Sequence, residues 1–229
     1  MKLSILVPVY NEEKTLSKIL DSLTSLQLGK WGKEIVVIDD ASTDRTATVL
    51  EKYKDSVIAL IHPINRGKTE AIKTGIKRAT GNYIIIQDAD SEYDPKDIPL
   101  LLRAAEANSV SAIFGSRFSG KHVDTIFGHK AGNKFLTFLT NLLYDGHISD
   151  METCYKLIPV EFLKGVVIET DRFGFEPEIT AKLLRCRKKI VEVPISYSKR
   201  TVTEGKSIRW WRDGWATVAV LFKYRFWKL

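Results

Sequence analysis

The feature that most constrains this chain is an alternation repeated through its first half. A short run of apolar, mostly β-branched residues gives way to an acidic or polar cluster, and a helical stripe follows. Residues 3–9 are the first such run, closed around Pro8 and by Asn11-Glu12-Glu13. Residues 12–26 then carry Leu16, Ile19, Leu20, Leu23 and Leu26, the spacing of one helix face. A second run at 34–38 ends in Asp39-Asp40, and Ser42 or Asp44 can cap a helix over 45–54. A third run at 57–61 precedes a helix over 68–79, with Gly81-Asn82 as the turn. A fourth at 83–87 leads into Asp88-Ala89-Asp90, followed by a helix over 95–107 and a strand over 112–115. Strands that are apolar throughout are buried on both faces, which requires helices on both sides of the sheet. The fold expected is α/β, a mostly parallel sheet flanked by helices.

Ligands of open α/β sheets bind at the carboxyl ends of the strands. Polar residues gather at those ends here, at 10–12, 39–40, 65–68 and 88–92. Asp88-Ala89-Asp90 is the sharpest of them. Two carboxylates two residues apart can converge on one hard cation, and Mg²⁺ or Mn²⁺ commonly joins such carboxylates to substrate phosphates. The plainer reading, a solvated turn or helix cap, sits less well with a position directly after a buried strand. Asp39-Asp40 suits simple turn chemistry, or a carboxylate accepting from a ribose hydroxyl or a base N–H. Gly67-Lys68-Thr69 imitates the end of a phosphate-binding P-loop. His62 stands where that pattern needs its first glycine, which excludes an NTPase. Lys68 can still meet an anion at a helix start. The absence of G-x-G-x-x-G counts against a dinucleotide-dependent oxidoreductase. His62, His122, His129 and His147 lack zinc-ligand spacing, and Cys154 and Cys186 make no disulfide framework, which fits a reducing compartment.

The second half is less regular. Residues 130–144 are amphipathic, with Phe135, Leu136, Phe138, Leu139, Leu142 and Leu143. A turn-rich stretch reaches 150–156, and a helix over 177–185 and a strand over 189–193 follow. Lys and Arg exceed Asp and Glu by 35 to 28, a net +7 that suits an anionic partner or a solvated surface. The first apolar run is too short for a signal peptide, and no apolar stretch approaches the ~20 residues of a membrane span, so a cytoplasmic protein is expected. Residues 207–229 interleave Trp210, Trp211, Trp215, Phe222, Tyr224, Phe226 and Trp227 with Arg209, Arg212, Lys223, Arg225 and Lys228. This suits the lipid headgroup zone, or a helix packed on the domain with its basic face in water. No nucleic-acid motif accompanies it, and no nucleic-acid partner is expected.

Taken in order, Val7-Pro8-Val9-Tyr10-Asn11-Glu12, Val37-Ile38-Asp39-Asp40-Ala41-Ser42-Thr43-Asp44, Asn65-Arg66-Gly67-Lys68, Asp88-Ala89-Asp90 and Gly115-Ser116-Arg117 resemble the family 2 glycosyltransferases. The likeness is to their polyprenyl-phosphate hexose synthases and spans nearly the whole chain. It implies a GT-A-like nucleotide-sugar-binding domain over residues 1–229. Within it, 1–118 would form the donor half, 119–206 the acceptor side and 207–229 an amphipathic helix at the membrane surface. By the same resemblance Pro8, Tyr10, Glu12, Ile38, Asp40, Lys68, Asp88 and Ala89 would meet the nucleotide sugar. Asp88 and Asp90 would hold Mg²⁺ or Mn²⁺, with Glu92 where the family often has Gln. Asp90, Arg117, Arg200 and Lys206 would serve catalysis, the three cations by meeting diphosphate or acceptor phosphate. Lys130, Asp150, Glu152 and Lys156 would lie on the acceptor side, where Cys154 replaces a common Gly. A polyprenyl phosphate acceptor, peripheral membrane association and a membrane-protein partner complete the expectation. The residues leave three alternatives open: a hydroxyl acceptor with Asp150 or Glu152 as base, a silent nucleotide-sugar-binding scaffold, and a nucleotidyltransferase.

Overall fold

A computed structural model describes residues 1–108, 112–119, 127–172, 174–198 and 210–226. The strands are β1 (Lys2–Val9), β2 (Gly32–Asp39), β3 (Ile58–Ile61), β4 (Tyr83–Ile86), β5 (Ala112–Ser116), β6 (Lys156–Pro159) and β7 (Ile190–Pro194). The helices are α1 (Leu16–Ser25), α2 (Thr46–Glu51), α3 (Lys68–Arg78), α4 (Ile98–Ala107), α5 (Phe127–Tyr144), α6 (Val160–Gly165), α7 (Phe175–Arg185) and α8 (Trp210–Arg225).

The seven strands form a sheet in the order β3-β2-β1-β4-β6-β5-β7. β1 lies parallel between β2 and β4, with Ile5 opposite both Ile35 and Ile85. Successive side chains of a strand point to opposite faces, and the two cores follow that rule. Leu3, Ile5, Val7, Ile35, Val37 and Ile85 pack with α1 and α4 on one side. Leu6, Val36, Ile38, Ile84 and Ile86 pack with α3 and α7 on the other. This two-sided burial is why β1, the apolar run of β2, and β4 carry so few polar residues; β3, at the sheet edge, leaves Ala59 and Ile61 exposed. α3 lies so close to the sheet that a Cβ on Gly75 would stand 2.9 Å from Ile38 Cδ1 and 3.0 Å from Leu6 Cδ1. The carboxyl end of α1 is tied off by Lys33, whose Nζ donates to the Leu23, Thr24 and Leu26 carbonyls.

Several elements differ from the sequence reading. The helix expected over 45–54 is only the six residues of α2, and its N-cap position is Arg45 rather than Ser42 or Asp44, although Asp44 just before it accepts from Thr46 N at 2.9 Å. The helix expected from residue 95 starts as a 3₁₀ turn, Pro95–Asp97, before α4. The larger surprise is β6. It runs antiparallel between β4 and β5, pairing Ile84 with Ile158 and Ile113 with Leu157. Four residues that begin with a lysine and end with a proline give almost no strand signal, and β6 exists because two neighbouring strands supply its ladder.

α8 packs on α5 and α7 through buried Leu221 and Tyr224. Tyr224 Oη donates to Glu169 Oε2 at 2.9 Å, and Tyr144 of α5 donates to the Leu221 carbonyl. No described helix is long and apolar enough to cross a membrane.

Candidate active site

The carboxyl ends of β1, β2 and β4 each turn through a left-handed non-glycine residue: Asn11 (φ 56°), Ala41 (φ 62°) and Ser91 (φ 62°). Such residues are uncommon and collect where surrounding contacts force them. Here the forcing contacts join one loop to the next. Asn11 N donates to Ser42 Oγ at 3.0 Å, and Asn11 Oδ1 accepts from Thr43 N at 2.7 Å. Glu12 N donates to Thr46 Oγ1, and Glu13 exchanges bonds with Asp44 and Arg45 N. The arrangement leaves Tyr10 exposed beside a fixed backbone, while Glu12 accepts from Thr15 Oγ1 at 2.7 Å. Pro8 and Ile38 are buried, and Ile38 packs under α3, so its side chain supports the site from inside the core.

Asp40 is also turned inward. Its carboxylate accepts from Arg66 N at 2.9 Å and Gly67 N at 2.6 Å and pairs with His62 Nδ1 at 2.7 Å. The loop this organises ends at Gly67 (φ 92°), whose left-handed conformation delivers Lys68 to the first turn of α3. Lys68 Nζ then reaches Asp88 Oδ1 at 2.8 Å, Glu176 Oε1 at 3.2 Å and Cys154 Sγ at 3.3 Å. Burial alone would lower the Lys68 pKa, but Asp88, Cys154 and Glu176 outweigh it and hold it well above the usual value. The ammonium therefore stays charged. Glu176 is correspondingly kept ionised despite its burial, chiefly by Lys68 and Lys156.

Beyond Asp88, Ala89 is buried and Asp90 Oδ1 accepts from Glu92 N at 3.1 Å. Glu92 is drawn to the other side of the site, where Tyr197 Oη donates to its Oε2 at 2.6 Å. Among the described residues no group of three or more His, Cys, Asp or Glu side chains is placed to hold a metal ion. Asp88 and Asp90 still fit a hard divalent cation, because Mg²⁺ usually takes one or two carboxylates and completes its shell with phosphate oxygens and water. Glu92, expected as a third ligand, is engaged by Tyr197 instead.

The residues expected on the acceptor side include a buried ion pair. Arg117, directly after β5, donates from N, Nε and Nη2 to Asp150 at 2.9, 2.8 and 2.7 Å. Its guanidinium lies 5.2 Å from the Tyr197 ring centroid. Asp150 is fully buried, so its carboxylate is committed to Arg117. Lys156 is buried as well: its Nζ donates to the Met151 carbonyl at 2.7 Å and to that of Thr153, against the Phe114 ring. Glu152 differs from all of these. Its Oε1 is buried without a hydrogen-bond partner among the described residues. Burial first and then Glu176 raise its pKa to about 7, against the pull of Lys156 and Arg117. Lys130 sits half-buried near the start of α5, and Arg200 and Lys206 lie outside the described residues.

Glu176, Tyr93 and Tyr197 were not singled out by sequence. Tyr93 stacks on Tyr155 at 4.9 Å, meets Tyr197 edge-on at 5.3 Å and accepts from Cys154 N, so it ties the turn after β4 to the segment before β6. The signal that could have found Glu176 is a glutamate in the first turn of a helix whose neighbours are apolar.

The model of the family described as Glycosyl transferase family 2 matches residues 4–166. The chain belongs to that family. A dolichol-phosphate mannosyltransferase of Pyrococcus furiosus is 30% identical over 214 residues, covering 90% of this chain and 59% of its own length. An undecaprenyl-phosphate 4-deoxy-4-formamido-L-arabinose transferase of Photorhabdus laumondii is 25% identical, covering 90% of this chain and 62% of its own. The chain thus spans about three fifths of these two relatives, both of them polyprenyl-phosphate sugar transferases. Glucosyl-3-phosphoglycerate synthase of Mycobacterium tuberculosis, solved with Mn²⁺, uridine diphosphate and phosphoglyceric acid, superposes with a TM-score of 0.77. It covers all of this chain and 80% of that one at 17% identity, which shows the GT-A-like fold.

Asp150→Asn leaves the Arg117 guanidinium buried without its counter-charge. The expected result is a loss of about 3–5 kcal/mol of unfolding free energy in urea titrations. Unchanged stability with lost activity would instead make Asp150 a proton acceptor.

Proposed function

We propose that this chain transfers a hexose from a UDP- or GDP-linked sugar to a polyprenyl phosphate, with inversion at the anomeric carbon, at the cytoplasmic face of a membrane. The observation that carries this reading is the Asp88-Ala89-Asp90 turn after β4, with Lys68 bonded to Asp88 and Arg117 buried directly after β5. The names of the polyprenyl-phosphate relatives support the acceptor. Asp88 and Asp90 would hold Mg²⁺ or Mn²⁺, which neutralises charge developing on a departing nucleoside diphosphate. Pro8, Tyr10, Glu12 and the rigid β1–β2 loop pair would bind the nucleotide. Lys68 offsets the negative charge of Asp88 and Glu176, so that a phosphate-rich donor can approach. A phosphate monoester has a second pKa of ~6 and is already ionised at neutral pH, so the acceptor needs cations rather than a base. Arg117, Arg200, Lys206 and Lys130 are the candidates for that duty.

A second reading, a hydroxyl acceptor, is favoured by one feature. Glu152 has one carboxyl oxygen, Oε1, buried without a hydrogen-bond partner among the described residues, and a pKa raised to about 7, where a general base works best.

Purified protein incubated with Mn²⁺ or Mg²⁺, a panel of UDP- and GDP-sugars and a short polyprenyl phosphate should yield a hexosyl-phospholipid by mass spectrometry. The product is expected to vanish with chelator and in Asp90→Asn, and to carry an anomeric configuration opposite to the donor's. A retained configuration would end the in-line displacement proposed here. Glu152→Gln separates the two acceptors. Transfer to the lipid phosphate should survive within severalfold, whereas loss of a general base costs about 10²–10⁴ in rate.

A further inference from the structure

The segment before β6 holds one side-chain atom that the fold leaves unmatched. Asp150 is taken up by Arg117, and Cys154 Sγ accepts from Lys68 Nζ at 3.3 Å. Glu152 stands between them in sequence, and its Oε1 is buried with no hydrogen-bond partner among the described residues. The backbone that carries it is fixed on both sides. Lys156 Nζ donates to the carbonyls of Met151 and Thr153, which flank Glu152. Met151 N donates to Thr137 Oγ1 at 3.1 Å, and Cys154 N to Tyr93 Oη at 3.1 Å. A buried polar atom without a partner costs stability, so native structures keep few of them. Departures of this kind collect at functional sites, where a ligand completes the bonding.

The charges around Glu152 indicate what that ligand is. They belong to both groups of ion pairs in the site: Glu176, which shares Lys68 with Asp88, and the Arg117–Asp150 pair. Lys156 is near as well, but its Nζ is committed to two carbonyls, as Arg117 is to Asp150. An incoming phosphate or carboxylate would therefore meet Glu152, Glu176 and Asp150 with no uncommitted cation among these neighbours, and like charges repel. A neutral hydroxyl fits instead. It donates to a carboxylate, and it can also accept from a protonated carboxyl. On the function proposed above, the diphosphate sits at Asp88 and the acceptor is met from the Arg117 side, so the group between them is the sugar in transit. We propose that Glu152 binds a hydroxyl group of the transferred sugar and selects neutral hexoses over uronic acids.

The role has two physical consequences. A site built to hydrogen-bond a substrate hydroxyl rejects the analogue that lacks it, because the protein's own polar group is then shut in unpaired. In the free protein the unmatched oxygen works against the fold, so its removal should not lower stability. The inference rests on the nucleotide-sugar reading above and names the part of the donor that this residue recognises.

The test is calorimetric titration of the full chain, with Mn²⁺ and no acceptor. The titrants are UDP and GDP, their hexose conjugates, and the monodeoxy and uronate forms of whichever hexose conjugate binds. One monodeoxy form should bind wild type at least tenfold more weakly than its parent. In Glu152→Ala the parent and that analogue should bind alike, while the free nucleoside diphosphate keeps its wild-type affinity within twofold. Glu152→Gln retains an acceptor oxygen and should keep the preference for the parent. The uronate should bind wild type at least tenfold more weakly than the hexose, and that gap should narrow in Glu152→Gln. Glu152→Ala should melt no lower than wild type. Should it fail to fold, the uronate gap in wild type and Glu152→Gln decides. A deoxy penalty of the same size in wild type and Glu152→Ala overturns the proposal. So does a variant that binds every donor as wild type does and only transfers more slowly, which is the mark of a base. Wild type that binds no nucleotide sugar refutes the donor reading and this inference with it. Binding decides the inference whether or not a polyprenyl phosphate is glycosylated, so failure of the proposed acceptor is seen separately.

Discussion

Four carboxylates, Asp88, Asp150, Glu152 and Glu176, are crowded at one end of this sheet, and two cations, Lys68 and Arg117, pair with three of them. Lys68 joins the start of α3 to the end of β4 and to α7 through Asp88 and Glu176. Arg117 joins the end of β5 to the segment before β6 through Asp150. Removing one member of such a pair strands a charge in a poorly solvated place, which costs more than the pair itself contributes. The ion pairs thus act less as glue than as a fixed pattern of charge at the mouth of the sheet. That pattern has two different outcomes. Asp150 is neutralised by a bidentate partner, whereas Glu152 has none and its proton affinity rises. Two acidic residues one position apart from a common neighbour, Met151, are thereby given different chemical behaviour by their surroundings alone.

The loops after β1 and β2 are fixed by other means. The left-handed turns at Asn11 and Ala41 lie in two loops that bond to each other, and Asp40 collects two backbone N–H groups and His62 to shape the approach to Lys68. Polar groups positioned before a ligand arrives need no reorganisation when charge develops on it. The tyrosines complete the frame. Tyr93 and Tyr197 stand between the Asp88–Glu92 turn and the Arg117–Asp150 pair, so the two halves of the site share a wall.

Much of this was legible before any coordinates. The strands β1, β2, β4 and β5 follow from uniform apolar runs, because burial on both faces leaves a signal that the sequence shows, whereas β3 lies at the sheet edge with Ala59 and Ile61 exposed. The acidic clusters at their ends pointed to the site for the same topological reason. What escaped the sequence depends on contacts between distant segments. β6 is a strand only because β4 and β5 flank it. Glu176 meets Lys68 across 108 positions, and Tyr197 meets Glu92 across 105. Asp40 and Lys156 carry residue types that suggest ligand contact, yet Asp40 is held by two backbone N–H groups and His62, and Lys156 by two backbone carbonyls. α8 was open to reading as a headgroup helix or as a packed helix with a basic outer face. It packs inward and presents an apolar outer face, which composition alone could not distinguish.

The account stands on Asp88 and Asp90 as a cation-dependent nucleotide site, and calorimetric titration of UDP and GDP into the protein tests this most directly. One nucleotide should bind at least tenfold more tightly with Mn²⁺ than with chelator, and Asp88→Asn should erase that difference. Equal affinity with and without the ion would contradict the account. Lys68, already bonded to Asp88, would then supply the positive charge that a divalent cation was assigned.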